Sequence, residues 1–451
     1  MVKVISQEVF NETVIENKEL LELNVEEAIL ETVQQFKAQD VDLTNIVKDP
    51  FILDDENPVV LMVKKLQSTN NENEINSCVN ELQMLCERGI EYKLLCGKEQ
   101  VFTVLIDKLF LDIPMQLKQN ILQFFTVFLD GYPDILDKRS CNLFLNMLES
   151  NPELLKIIVR LINITCLKHE HNRQMYVENN IISCINNLIS NKPSSEVLSC
   201  VLNIIPALTR DDDIRSEVSK MYMHACSLSN DLLKPLCRLL KAEEIEEDLV
   251  ESLLNALSSI VVNNDHCITV DSEGCVPVVL NLIKKHSQNK KILVKCFTFL
   301  FVLAGNDDIC NKLMKLDVAS ELSFAMNNYV NLKSITLAAL KLTSRLCLRK
   351  PNHGQIFFQI DFPTYVIQAM KVFEKDGSVQ VAGCWCIRNM TCRNHEFRKN
   401  FLNLGAEEII NKILSDFKQY EQDAKFALIE LGCSVKLNEP WIGKEGQKLK
   451  N

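Results

Sequence analysis

Glycine and proline are scarce in this chain, at 12 residues each among 451. That is too few for a turn-rich β protein. With Leu, Ile and Val recurring throughout, the composition points to an all-α fold. The glycines are also isolated, so none builds a phosphate-cradling loop. Walker A, GxGxxG, GxSxG and HExxH patterns are all missing. No catalytic residue, cofactor or metal is assigned, and the expectation is a protein that is not an enzyme.

An excess of positive charge is missing too. Acidic residues number 60 against 49 basic ones, a formal charge of −11, which argues against broad nucleic-acid binding and leaves room for a local basic patch. Long apolar runs are absent: Cys296–Ala304 falls far short of the ~20 residues a membrane span needs. The first residues, MVKVISQEVFNETVIENK, lack the apolar core of a signal peptide. Cysteine, by contrast, is plentiful at 18, yet it is scattered along helical segments (Cys78, Cys86, Cys166, Cys184, Cys200, Cys296). This fits buried free thiols in a reducing compartment better than a disulfide framework. The sequons at Asn11, Asn163 and Asn389 then carry no meaning. A soluble, cytoplasmic monomer is expected, with the nucleus also open to it.

A chain this long exceeds one compact core. Residues 1–49 read as a helical extension. Ser6 and Asn24 are placed to cap two amphipathic helices, with Val9, Val14 and Ile15 on the apolar side of the first. Residues 50–57 read as a linker, 58–435 as a repeat array, and 436–451 as a tail whose Trp441 folds back. Within the array, a break precedes the last helix of each unit at Gln100, Arg139, Asn180, Asp231, Gly274, Asp317, Asp361 and Gly405. The spacing is about 42, within the range of armadillo and HEAT units. Residues 216–230 carry an insertion that predicts a lengthened helix or a bulging loop. Each unit shows a long apolar helix, a polar elbow, a short helix, a break and a second helix, which is the three-helix armadillo plan. About nine such units would stack, since none buries its apolar face alone. Asp423–Leu431 reads as the last long helix, with Gly432 as its terminator.

The segments SQEVFNETVIEN, VDLTNIVK, CLKHEHNRQ (166–174), LTRDDDIR (208–215), AGNDDI (304–309), LRKPN (348–352) and LGAEEII (404–410) carry a closer likeness. Through them the chain resembles the animal family of armadillo repeat-containing protein six, in an invertebrate form, along its whole length. The resemblance implies an all-α, right-handed armadillo-type α-solenoid with an N-terminal helical extension. It also implies a protein-binding role without enzymatic activity, and it transfers no catalytic residue.

In importin-α-like armadillo proteins the third helix that lines the groove carries a repeated Trp-x-x-x-Asn. Trp385 and Asn389 have that spacing and share a helix face, but the pattern does not repeat. Asn163 has Val159 before it, and Ser259, Val302 and Ser344 stand near the Asn position elsewhere. Trp385, Arg388 and Asn389, with Asn163, Ser259, Ser344 and Arg345, are the candidate partner-binding residues, set against plain packing roles. The candidate partner is a protein or extended peptide lying in a concave groove. An importin-like adaptor for basic peptides is the alternative, and a metal-dependent protein a more remote one.

Cys384, Cys386, Cys392 and His395 suggest zinc, but two residues apart on a helix point about 200° apart. His169, His171, His266 and Cys267 lie in elbows, where capping of helix ends is the expected role. Asp211–Asp213 and Glu243–Asp248 read as solvated acid or as a seat for a basic peptide. Arg388, Arg393, Arg398 and Lys399, with Arg345, Arg349 and Lys350 one repeat earlier, read as a solvated face or as a stripe suited to an acidic peptide.

Overall fold

The computed structural model describes residues 3–48, 58–191, 193–242 and 245–435. The expected linker 50–57, the tail with Trp441, and Glu243 and Glu244 of the acidic run lie outside them. The chain divides into two compact units, 1–224 and 225–451. Each is a stack of armadillo-type helical repeats, and the fold is an all-α solenoid of that type. No helix among the described residues is long and apolar enough to cross a membrane.

In the first unit, helices Gln7–Leu20 and Val25–Ala38 pack together around Phe10, Val14, Ala28, Ile29 and Phe36. Ser6 accepts the Val9 N–H, and Asn24 with Glu27 forms a reciprocal capping box. Val9 and Ile15, expected inside, are exposed, and Phe10 and Asn17 are buried instead. The buried stripe is thus rotated relative to the one expected. A two-residue parallel pairing of Lys3–Val4 with Val41–Asp42 closes this element, a strand contact too short to leave a sequence signal.

The long third helices Glu72–Arg88, Met115–Phe128 and Leu155–Cys166 then stack in succession. Phe102, Phe124, Phe125, Phe128 and Phe144 pack ring on ring between the repeats. The next third helix is broken into Ser195–Leu202 and Ile204–Leu208. Pro206 supplies no N–H to the Leu202 carbonyl and its ring crowds that turn.

The second unit has third helices Glu247–Ile260, Lys290–Leu303, Lys333–Cys347, Gly377–Thr391 and Glu421–Leu431, each stacked on the one before. Gly432 follows the last in left-handed geometry, as expected of a terminator.

Six of the eight expected breaks are single left-handed residues between the first and second helices of a repeat: Gln100, Asn180, Gly274, Asp317, Asp361 and Gly405. One residue at positive φ reverses the chain without a loop, which explains the regular period. The other two expectations are corrected. Arg139 lies inside helix Lys138–Ser150, which begins one step earlier at the Asp137 cap, because the first helix there shrinks to a 3-10 turn at Pro133–Ile135. Asp231 lies within the unbroken 20-residue helix Met221–Leu240. The inserted stretch is therefore both anticipated forms at once, an irregular segment at 209–220 followed by a lengthened helix.

All 18 cysteines are free thiols, and all but Cys200, Cys226, Cys392 and Cys433 are buried.

Candidate protein-interaction face

The second unit brings most of the candidate residues onto consecutive third helices. Their apolar sides are buried in the stack, which leaves a narrow outer stripe. On Lys290–Leu303 the stripe carries Lys295, Thr298 and Phe301; on Lys333–Cys347, Lys341 and Arg345; on Gly377–Thr391, Trp385, Arg388 and Asn389; on Glu421–Leu431, Phe426.

Two arginines on this stripe lie over aromatic rings. The Arg345 guanidinium stands 4.9 Å from the centre of the Phe301 ring, and that of Arg388 stands 5.3 Å from Phe426. Each ring belongs to an adjacent repeat. Arg345 lies close to Gly305: a Cβ at that position would sit 2.9 Å from Arg345 Nη2 and 3.1 Å from the Val302 carbonyl oxygen. Arg345, Phe301, Val302 and Gly305 border a recess of ≈ 300 Å³.

Trp385 and Asn389 are already engaged. The Trp385 indole N–H donates to Asp423 at 2.9 Å. The Asn389 amide donates to the Ser344 carbonyl and hydroxyl oxygens. The Asn389 amide that a Trp/Asn groove would offer to a peptide backbone is therefore spent on a tie between repeats. Ser259 is half-buried and donates to its own helix at Ala256. Asn163 is half-buried and belongs to the first unit, not to this set. Phe301, Phe426 and Lys341 escaped sequence reasoning. The rings pack under arginines from neighbouring repeats, and no local spacing links residues that far apart.

Cys384 and Cys386 are buried thiols, with Cys386 donating to the Leu340 carbonyl. Burial pushes Cys384 up to about 12. Among the described residues no three His, Cys, Asp or Glu side chains converge as a metal set.

An elbow of the first unit holds a cluster of linked charges. Arg173 is 1% exposed. It donates to Glu170 at 3.0 Å, to Asp212 at 2.6 Å and to the Cys166 carbonyl at 2.9 Å. Burial opposes its charge, but the hydrogen bonds it donates to Asp212 and Glu170, with the charges of those carboxylates, outweigh it and raise its pKa. Glu170 also meets His224 at 2.6 Å, and His169 meets Asp134 at 2.8 Å. Asp213 receives the Glu170 N–H and is held below the usual carboxylate range: burial pushes it up, and Arg215 with those N–H groups more than offsets that. His169 accepts the Asn172 N–H as a helix cap, as expected for an elbow residue. Asn172 and Arg173 take the last-turn carbonyls of Thr165 and Cys166. The motifs at 166–174 and 208–215, far apart in sequence, thus build one network that terminates a helix.

Family models match along the chain: "ARMC6" over residues 59–450, and "Armadillo repeat-containing protein 6 N-terminal domain" over residues 2–74. The chain is 26% identical over 465 residues to the Armadillo repeat-containing protein 6 homolog of Drosophila melanogaster, covering 100% of both. It is 27% identical over 469 residues to the human Armadillo repeat-containing protein 6, covering 98% of this chain and 94% of the relative. An engineered protein of known crystal structure superimposes with a TM-score of 0.64 at 13% identity, over 96% of this chain and 100% of that one; the likeness is one of fold.

Proposed function

Because the chain belongs to the armadillo repeat-containing protein 6 family, we propose that it is a non-enzymatic interaction scaffold. Its second unit binds an extended segment of a partner protein across the stacked third helices. The observation that carries this is the outer stripe of Phe301, Lys341, Arg345, Trp385, Arg388 and Phe426. It presents large rings and arginines on successive repeats, residue types enriched in protein interfaces. Stacked repeats expose long, continuous surfaces of this kind. Arg345 and Arg388 are the anchors of the reading. Trp385 contributes its ring face, and Asn389 and Ser344 hold the helices in register beneath it.

A photo-crosslinking amino acid placed at Thr298 or Lys341 tests the proposal. Partner adducts are expected from these positions and not from Lys371 or Glu408, which lie on second helices. The reverse pattern would remove the third-helix face from consideration.

A further inference from the structure

We propose that the segment held on this face is acidic, an extended stretch of partner protein whose Asp or Glu side chains meet Lys341, Arg345 and Arg388. The inference rests on the interaction-face reading above and adds the chemistry of the occupant.

Three consecutive stacked helices, Lys290–Leu303, Lys333–Cys347 and Gly377–Thr391, contain no Asp or Glu, although the chain carries 60 acidic residues. Their charged side chains are all cations: Lys290, Lys291, Lys295, Lys333, Lys341, Arg345 and Arg388. Some are satisfied locally. Lys333 pairs with Asp376, and Lys295 donates to Asn255. Among the described residues, no carboxylate lies within ion-pair distance of Lys341, Arg345 or Arg388, which are half-buried residues of the stripe. Three carboxylates of neighbouring helices have other partners: Asp423 takes the Trp385 indole, Asp307 pairs with Lys350, and Glu421 pairs with Lys425.

The geometry of the two arginines fits such a guest. A ring beside each guanidinium, 4.9 Å away for Arg345 and 5.3 Å for Arg388, gives it a packing partner from the adjacent repeat. That leaves the N–H edges to grip a carboxylate in the bidentate manner for which arginine is suited. The recess beside Arg345 gives a side chain room to enter. Helices packed about 10 Å apart make the run from Lys290–Leu303 to Glu421–Leu431 about 30 Å long, a span matched by about nine extended residues. A nucleic acid fits less well. The chain's net charge of −11 repels a polyanion at long range, and three spaced cations suit discrete carboxylates better than a continuous phosphate run.

Fluorescence polarisation on the full chain tests this, with labelled oligoglutamate of about nine residues as probe and oligolysine and oligothymidylate of similar length as comparators. Oligoglutamate is expected to bind at low salt and to weaken as salt rises. The paired change Arg345→Glu with Arg388→Glu should lower its affinity by at least about tenfold. The pair Arg345→Gln with Arg388→Gln should give a smaller loss, so the test does not depend on the folding of a single variant. Arg349 and Arg393, expected in the same stripe, lie instead past the ends of the third helices in left-handed elbow positions, so the pair Arg349→Glu with Arg393→Glu should matter little. Three results would overturn the proposal: no oligoglutamate binding at low salt, equal loss from the elbow pair, or a preference for oligolysine or oligothymidylate. If crosslinks from Thr298 and Lys341 still capture a partner in that case, the face stands and its acidic occupant falls. If they also fail, both readings fall.

Discussion

Asn389 donates its amide to Ser344 on the preceding third helix, at 2.9 Å to the carbonyl oxygen and 3.0 Å to the hydroxyl. Ser344 lies in the last turn of its helix, where carbonyls have no partner within the helix. The next repeat therefore caps this one. Replacing Asn389 by Ala is expected to cost about 1 kcal/mol, and Ser344→Ala less, since the carbonyl bond survives. Urea melts of the two variants check the order.

Arg173 bridges Glu170 and Asp212 from an almost fully buried position. Arg173→Met leaves Glu170 buried beside His224 without its main counter-charge, at an expected cost of roughly 3–5 kcal/mol. The double variant with Glu170→Gln should lose less than the sum of the two single changes, because they share one network. Thermal melts of all three supply the comparison.

Gln100 holds a left-handed conformation, φ 59, that favours glycine, and Gly405 sits at the equivalent place at φ 87. Gln100→Gly should therefore gain about 0.5–1 kcal/mol, and Gly405→Ala should lose a similar amount. Opposite shifts in melting temperature would bear this out, and shifts of the same sign would not.

Thiol reactivity should follow burial. Burial pushes Cys141 and Cys184 up to about 12 and removes them from solvent. Maleimide added to the native chain is expected to modify only Cys200, Cys226, Cys392 and Cys433, with the rest reacting on unfolding. Peptide mapping by mass spectrometry reads the pattern.

Asp376 caps helix Gly377–Thr391 and pairs with Lys333. Burial pushes its carboxyl up, but Lys333, Ser378 and the Val379 N–H more than offset this and hold it at about 2. A depressed carboxyl stabilises the fold above the unfolded value of about 3.9 and loses that contribution as pH falls toward about 2. The stability gap between the wild-type chain and Asp376→Asn should thus be full at neutral pH and shrink below about pH 4. Denaturant melts across that range measure it.

Much of the fold is legible in the sequence because it is local. Helix caps at Ser6 and Asn24, the period near 42, and the left-handed breaks at Asn180, Gly274, Asp317, Asp361 and Gly405 each need only a few adjacent residues. Sequence and structure part where neighbours decide. Spacing alone puts breaks at Arg139 and Asp231, and the chain instead starts a helix early at Asp137 and runs one helix through the insertion. Val9 and Ile15 are apolar but lie about 120° apart on their helix, and the buried side runs through Phe10, Val14 and Asn17 instead, with Phe10 stacked on Phe36 of the next helix.

By itself the sequence determined an all-α armadillo array, because apolar period, caps and breaks are written in short stretches. It also determined the absence of carboxylates from three third helices. Only the tertiary structure decided what those helices do with their charges. It set Arg345 on Phe301 and Arg388 on Phe426, and it spent Trp385 on Asp423 and Asn389 on Ser344. These pairs lie about one repeat apart, and stacking brings them together where no local spacing could.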